Sequence, residues 1–510
     1  MRNLETNVRK IRMKIFEEIA NFSFTNEQNF NLEEIVEKIY IEIEKEKFNF
    51  KGFFELKKEV LMEMIRLGMG ISLISALKQN VSFEEIVKEK YYYELPLVNV
   101  ISSACNGCGE NCFLVTNACK GCLARPCQEV CLKDAIFFNE ENKSQILEEK
   151  CVKCGRCAAV CPYSAIIEKK RPCAKACALD AIKINAENKA QIDSEKCVSC
   201  GACIVSCPFG AVFDKSQIFQ LIWSIKNKEK VVACVAPAFV GQFGQDVSFE
   251  KVKAALKEVG FVDVVEVAVG ADMCSYGEAQ EFVEKVPKKQ PFMATSCCPA
   301  WSVMAKKNFK DVAPYVSMEL TPMVFTARLI KSKRKGVKVA FIGPCAAKKL
   351  EAFRKSVRSD VDFVLTFEET MGIFKAKKIN FDCLVHKEEE ERASGDGRNF
   401  AVTNGVAQAV LECVKKIDPN KEIFVESAQG LSDCKKLLLL AKAGKKNGFL
   451  LEGMACKGGC VGGPGTTQPV AKATKLVNEF SNKAKKKHAF ESEFINYIEE
   501  LTHEHETQKN

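Results

Sequence analysis

The feature that most restricts this chain is an internal repeat with a period of 46 residues, built around cysteine. RPCQEVCLKDAI from Arg125 returns as RPCAKACALDAI from Arg171, and EKCVKCGRCAAVCP from Glu149 returns as EKCVSCGACIVSCP from Glu195. Six cysteines repeat in register: Cys127, Cys131, Cys151, Cys154, Cys157 and Cys161 against Cys173, Cys177, Cys197, Cys200, Cys203 and Cys207. The unit CxxCxxCxxxCP is specific. Its first three thiolates cap one face of a 4Fe-4S cube while the fourth reaches a second cube. A structural zinc site needs two CxxC pairs instead, so zinc-binding or merely buried cysteines are the weaker reading.

In two-cluster ferredoxins the fourth cysteines are exchanged between motifs. Cys119, Cys122, Cys127 and Cys161 are therefore expected to hold one cluster, and Cys131, Cys151, Cys154 and Cys157 the next. The 46-residue shift gives Cys177, Cys197, Cys200 and Cys203 as a third set. Cys173 and Cys207 remain and need two partners from Cys105, Cys108 and Cys112; the alternative is that CNGCGENC is a degenerate motif without metal. Two accessory clusters are the minimum and four the favoured count.

Composition decides the setting. The chain has 27 cysteines and four histidines, so cysteine must carry any extensive metal site. The start, MRNLETNVRKIRMK, has no signal-peptide character, and no run approaches the roughly 18 uncharged apolar residues that span a bilayer. A cytoplasmic protein with reduced thiols and no membrane association is expected. Formal charge is +9, but residues 1–100 hold 15 Lys and Arg against 17 Asp and Glu, so the basic excess lies with the cysteines. Metal-bound thiolates would cancel much of it, and no nucleic-acid partner is inferred.

Residues 1–100 lack cysteine and show helical spacing, for example Leu32, Ile35, Val36, Ile39, Tyr40 and Ile43 on one face. Ser82 followed by Glu85 fits a capping box. A helical N-terminal domain over 1–100 is expected, packed on its neighbour, followed by a ferredoxin-like α+β iron-sulfur domain over 101–215. From 216 to 470 short apolar runs alternate with helical stretches, which reads as α/β. Several runs end at informative residues: KVVACVAP at Pro237, PFMATSCCP at Cys297 and Cys298, VKVAFIGPC at Cys345, GFLLEGMAC at Cys456. Sites collect at the carboxyl ends of parallel strands. Residues 471–510 read as a lysine-rich helical tail with a solvated face.

The motifs TSCCPAW from Thr295, GPCAAKKLE from Gly343 and EGMACKGGCVGGPG from Glu452 resemble, in order, the three signatures of FeFe hydrogenases. With the cluster domain, the resemblance covers roughly residues 100–470 and is closest to the monomeric clostridial-type branch. It implies an α/β catalytic domain with two sub-lobes around a buried H-cluster: a 4Fe-4S cube plus a two-iron unit bearing carbon monoxide, cyanide and a bridging dithiolate. By resemblance Cys298, Cys345, Cys456 and Cys460 hold the cube, with Cys460 bridging to the two-iron unit. Pro237, Ala238, Lys348 and Met454 line the cofactor, Lys348 donating to an iron-bound cyanide as a charge-assisted donor. Cys297 is the proton-passing thiol, and Glu278, Glu281 and Thr321 stand where the family places two glutamates and a serine. Taken alone, each glutamate is nearly as well explained by a solvated helix face. Gly458, Gly459, Gly462 and Gly463 suit close backbone approach to a cluster.

Departures from the family are Ala300 for glycine, Gly343 for methionine, Lys285 for arginine, and the added charge of Lys457. The resemblance implies reversible hydrogen oxidation and proton reduction, with ferredoxin or a similar soluble carrier and hydrogenase maturation proteins as partners. Two other readings keep the fold: a non-catalytic hydrogen sensor, and an iron-sulfur assembly or carrier protein. Relatives of those kinds often lose the proton-relay cysteine or erode the paired cysteines, both of which stand here as Cys297 and Cys298.

Overall fold

The structure is a computed structural model describing residues 6–26, 30–45, 58–73, 81–88, 92–105, 108, 112–385 and 392–503. Within the N-terminal segment, helices α1 (Asn7–Thr25), α2 (Leu32–Lys45) and α3 (Lys58–Gly68) form as the spacing predicts, with Leu32, Ile35, Val36, Ile39 and Ile43 of α2 buried. Ser82 and Glu85 make the reciprocal capping box of the short helix Phe83–Val87.

These helices have no separate core. Ile15, Phe16 and Ile19 share one apolar cluster with the catalytic strands, because α1 lies across helices that bound the sheet. Close approach to the helix Phe367–Ala376 is possible because residue 372 is glycine; a Cβ there would stand 2.7 Å from Phe16 Cβ. A buried ion network ties the same contact. Arg12 pairs with Asp214 at 3.0 Å and Glu368 at 3.1 Å, and Lys349 pairs with Asp214 at 2.7 Å and Glu369 at 2.8 Å.

The cysteine-rich region is two modules, one inserted inside the other. The inner module opens with β2 (Cys112–Val115) and closes with its antiparallel partner β5 (Ile166–Lys169), enclosing the hairpin β3 (Ile136–Phe138)–β4 (Ser144–Ile146). The outer module opens earlier, with β1 (Val98–Val100), closes later, with its antiparallel partner β8 (Val212–Asp214), and contains the hairpin β6 (Ile182–Ile184)–β7 (Ala190–Ile192). From Arg125 and Arg171 onward the two modules are in register at the 46-residue shift: Arg125 donates to Asn142 Oδ1 as Arg171 does to Asn188 Oδ1.

Beyond residue 230 two parallel sheets form. β9 (Val231–Val235), β10 (Asp263–Glu266), β12 (Lys338–Gly343) and β13 (Phe363–Thr366) pair in the order β10-β9-β12-β13, and β11 (Met293–Ala294), β14 (Phe424–Gln429) and β15 (Phe449–Met454) in the order β11-β15-β14. β9 and β13 are buried at every residue, as uninterrupted apolar runs demand when helices cover both faces. The stretch expected as a surface tail does more than cover: Ala489, Phe494, Ile498 and Leu501 enter the core against Ala268, Val269 and Met273. The lysine run precedes them, with Lys483, Lys485 and Lys487 exposed. Among the described residues no helix is long and apolar enough to cross a membrane.

Candidate metal centre and its proton route

Each cysteine of the three catalytic motifs sits just beyond a strand end. Cys298 follows β11 and caps the helix Pro299–Asn308; Cys345 follows β12 and caps the helix Ala346–Ala352; Cys456 and Cys460 follow β15. A helix N-terminus favours a thiolate. Burial, the largest influence, nevertheless pushes the Cys345 thiol up to about 12, with the neighbouring Cys298 adding to it. Cys460 is raised by burial and then by Cys345, Cys298 and Cys456, so the four sulfurs face one another. Gly459 has φ +87 and a Cβ there would stand 2.7 Å from Thr403 N, which lets the loop between Cys456 and Cys460 turn against the wall.

The donor set fits an iron-sulfur cube. Four soft thiols converge, with no histidine among them in the described residues. All 27 cysteines are free thiols, and among the described residues no three His, Cys, Asp or Glu side chains close on a point that a single metal ion would fill. Pro237 and Ala238 are buried just past β9, and Met454 ends β15. Lys348 Nζ donates to Glu351 Oε2 at 2.6 Å and to Thr321 Oγ1 at 3.2 Å. Burial opposes its charge, but Glu351 and the thiols Cys345 and Cys297 more than offset this, so its pKa is raised and the ammonium is kept.

The proton-bearing side chains form a line from Cys297. Burial first, then Glu278, pushes the Cys297 thiol well above its ordinary value. Glu278 is fully buried; its Oε1 accepts from Ser296 N at 2.7 Å and Ser296 Oγ at 2.9 Å, while its Oε2 has no partner. Desolvation holds the Glu278 carboxyl up at about 8, reinforced by Glu281 and Glu319. Glu319 presses its carboxyl into the space left by Gly277, the residue before Glu278. Glu281 follows, accepting from Ser317 Oγ at 2.5 Å and from Lys285 Nζ at 2.8 Å, and Lys285 is part-exposed.

Thr321 does not join this line. Its Oγ1 donates to Glu351 Oε1 at 2.6 Å, on the lysine side of the site, and Ser317 is the hydroxyl that reaches Glu281. Two hydroxyls four residues apart precede the helix Pro322–Lys333, and sequence alone offered no reason to prefer the first. Glu319 and Ser296 were also missed. So was Lys349, whose neighbour Lys348 carried the motif signal.

The accessory cysteines gather locally within the two modules. Ser144 N donates to Cys119 Sγ at 3.5 Å and Ser144 Oγ lies 3.8 Å from Cys127 Sγ, which joins those two thiols in the inner module; Cys122 and Cys161 belong to the same module. Cys131, Cys151, Cys154 and Cys157 line a cavity of about 150 Å³. Cys177, Cys197, Cys200 and Cys203 line the corresponding cavity of the outer module, with Leu431 in its wall. In the same outer module burial pushes the Cys173 thiol up to about 11, with Cys207, Cys105 and Cys108 also acting on it. Cys112 stands elsewhere, on β2 opposite Lys169. The third set abuts the catalytic cysteines, since Cys177, Cys200, Cys298 and Cys345 pack around one apolar cluster.

Comparison with known proteins agrees with this geometry. Residues 229–464 match the family described as iron only hydrogenase large subunit, C-terminal domain; residues 118–170 match the LdpA Fe-S cluster-binding domain and residues 190–213 a 4Fe-4S binding domain. The periplasmic Fe hydrogenase large subunit of Nitratidesulfovibrio vulgaris is 30% identical over 48% of this chain and 69% of its own length. Iron hydrogenase 1 of Clostridium pasteurianum is 30% identical over 47% of this chain and 50% of its own, and the NADP-reducing hydrogenase subunit HndD of Solidesulfovibrio fructosivorans 27% identical over 62% and 55%. The chain thus spans about half the length of these last two relatives. The nuclear prelamin A recognition factor of Xenopus laevis is also similar, 25% identical over 47% of this chain and 65% of its own.

Proposed function

The chain belongs to the iron-only (FeFe) hydrogenase family, and from that premise we propose that it interconverts protons, electrons and molecular hydrogen at an H-cluster fed by four accessory 4Fe-4S clusters. The single observation that carries the reading is the buried, unpartnered Oε2 of Glu278 beside Cys297, next to four facing thiols. A buried carboxyl with an unpartnered oxygen costs stability, and such groups concentrate at functional sites.

When bound, the cofactor supplies the iron chemistry and the electrons' destination. Cys298, Cys345, Cys456 and Cys460 would hold its cube between the two parallel sheets, which correspond to the two sub-lobes. Lys348, kept charged by Glu351, gives a directed donor for an anionic iron ligand. Cys297 holds a proton at Sγ. Glu278, neutral near pH 7, holds the next one at a carboxyl oxygen and exchanges it with Cys297 on one side and with the Glu319–Glu281 pair on the other. Lys285 and Ser317 orient Glu281 toward solvent. Dry packing around Trp301 and Met454 excludes water from any other approach.

A second reading, an iron-sulfur assembly or carrier protein, draws on the similarity to the prelamin A recognition factor and to a probable cytosolic Fe-S cluster assembly factor. The buried carboxyl of Glu278 beside Cys297, with Glu319 next to it, supports the first, because a carrier has no use for a row of proton-holding groups. Infrared spectroscopy of anaerobically matured protein separates them, since bound carbon monoxide and cyanide absorb where protein does not. Those bands together with hydrogen turnover are expected. Cluster absorption without either, after full maturation, would leave the carrier reading standing. Protein reconstituted with iron and sulfide alone should show cluster absorption but no turnover, because no two-iron precursor has been supplied.

A further inference from the structure

The outer module docks on the catalytic domain by one face. Val198 is 2% exposed and Leu179 8% exposed in a shared cluster with Trp301 and Ala347. Gly201 lies so close that a Cβ there would stand 2.6 Å from Pro464 Cγ and 3.4 Å from Ala346 Cβ, one residue from Cys345. This face brings Cys200 against the catalytic cysteines.

The inner module carries the same face at the 46-residue shift, with nothing among the described residues covering it. Val152, the counterpart of Val198, is 61% exposed, and Leu132, the counterpart of Ala178, is 75% exposed. Cys154, the counterpart of Cys200, is exposed. Gly155, the counterpart of Gly201, touches only Phe113 of its own module. On this face three differences between the copies add positive charge, whereas elsewhere the inner copy gains acids at Glu129, Glu140 and Glu148. Where the docked face has Leu179, Ser199 and Ala202, the free face has Lys133, Lys153 and Arg156, all exposed. An apolar centre ringed by cations around an exposed cluster ligand is a surface for steering and seating an anionic protein.

We propose that the face of the inner module formed by Leu132, Val152 and Cys154, ringed by Lys133, Lys153 and Arg156, docks an acidic one-electron carrier protein whose redox centre lies near its own surface. It repeats between molecules the contact that the outer module makes within the chain. In the transfer, one electron leaves the reduced carrier, which is oxidised, and enters the set held by Cys131, Cys151, Cys154 and Cys157, which is reduced; no atom moves. The reverse direction exchanges the two roles. The proposal rests on the electron-transfer half of the functional reading and not on hydrogen chemistry.

The test uses cluster-loaded full-length protein, a purified acidic ferredoxin as probe, and the variant Lys133→Glu/Lys153→Glu/Arg156→Glu. Association is followed by calorimetry at low and high salt, and cluster reduction by stopped-flow absorbance with either reduced ferredoxin or dithionite as donor. Ferredoxin association and reduction rate should fall about tenfold or more in the variant and lose most of their salt dependence, while dithionite, a small anion that needs no docking face, should be slowed far less, and equally in both proteins once high salt screens the charges. Lys133→Glu alone lies outside the CxxCxxC loop and should show a smaller loss of the same kind, even where the triple variant loads clusters poorly. Unchanged ferredoxin association in a fully loaded variant overturns the proposal, as does sedimentation showing a second copy of the chain seated on this face. Ferredoxin-driven reduction without hydrogen evolution leaves the docking face intact and counts against the hydrogenase reading instead.

Discussion

Cys105 Sγ accepts the backbone N–H of Ala190 at 3.4 Å across 85 residues of chain. The same contact occurs in the inner module, where Ser144 N donates to Cys119 Sγ at 3.5 Å, and Ser144 lies 46 residues before Ala190. Cys105 and Cys108 are therefore to the outer module what Cys119 and Cys122 are to the inner one, and Cys112 has no such counterpart. Fully loaded protein should hold about 22 irons, from five cubes and one two-iron unit. Cys105→Ala or Cys108→Ala should lower this by about four, whereas Cys112→Ala should leave it unchanged. Equal losses from all three, by iron analysis, would show that the register does not choose the ligands.

The carboxyl of Glu278, held at about 8 by desolvation, stays protonated at neutral pH. Its folded pKa lies above the unfolded value of roughly 4.3, so it costs stability as pH rises between those two values. Difference infrared spectra should contain a neutral-carboxyl band that titrates near 8 and is absent in Glu278→Gln. Glu319→Gln should move that midpoint down, since it removes a like charge beside Glu278. A Glu278 band titrating in the ordinary carboxylate range would sink the neutral-donor assignment.

Cys297 and Cys298 are adjacent thiols with separate tasks. Cys297→Ser should leave iron content and carbonyl bands nearly unchanged while turnover falls by roughly two to four orders of magnitude, the range for loss of a proton-transfer group. Cys298→Ser should disturb the cube itself, because a hard hydroxyl is a poor ligand beside soft thiolates. Near-native turnover in Cys297→Ser, with the cofactor confirmed present, would mean that protons enter by another route.

Asp214 is buried between Arg12 and Lys349. Although burial opposes its charge, Lys349 and Arg12 hold its carboxyl down at about 2. Its contribution is present above the unfolded pKa of roughly 3.9 and is lost as pH falls toward the folded value. Asp214→Ala should destabilise the protein by roughly 3–5 kcal/mol, because two buried cations lose a shared partner. The N-terminal helices should detach first, which limited proteolysis would detect as early cleavage within α1 or α2. Unaltered thermal stability would mean that the apolar contact of Phe16 and Ile19 suffices to hold α1.

The sequence by itself determined the cysteine groupings of the two repeated units, because Cys151, Cys154 and Cys157 and their counterparts Cys197, Cys200 and Cys203 lie three residues apart and local spacing sets their geometry. It also determined the strand-end placement of Cys298, Cys345 and Cys456, since each follows an apolar run too short for a helix. Only the tertiary structure decided the rest. One module is inserted in the other, so the strand before Cys105 closes on β8, past the whole inner copy. No local pattern encodes such a closure, which is fixed by which hairpin has room for the returning strand. Ser317 displaced Thr321, and Glu319 joined the route, because the choice depends on the gap over Gly277 and on the direction each side chain takes from its turn. Val152 and Val198 occupy the same position of the repeat, yet one is open and the other buried; burial there follows from the domain packed against the outer copy and not from the repeat.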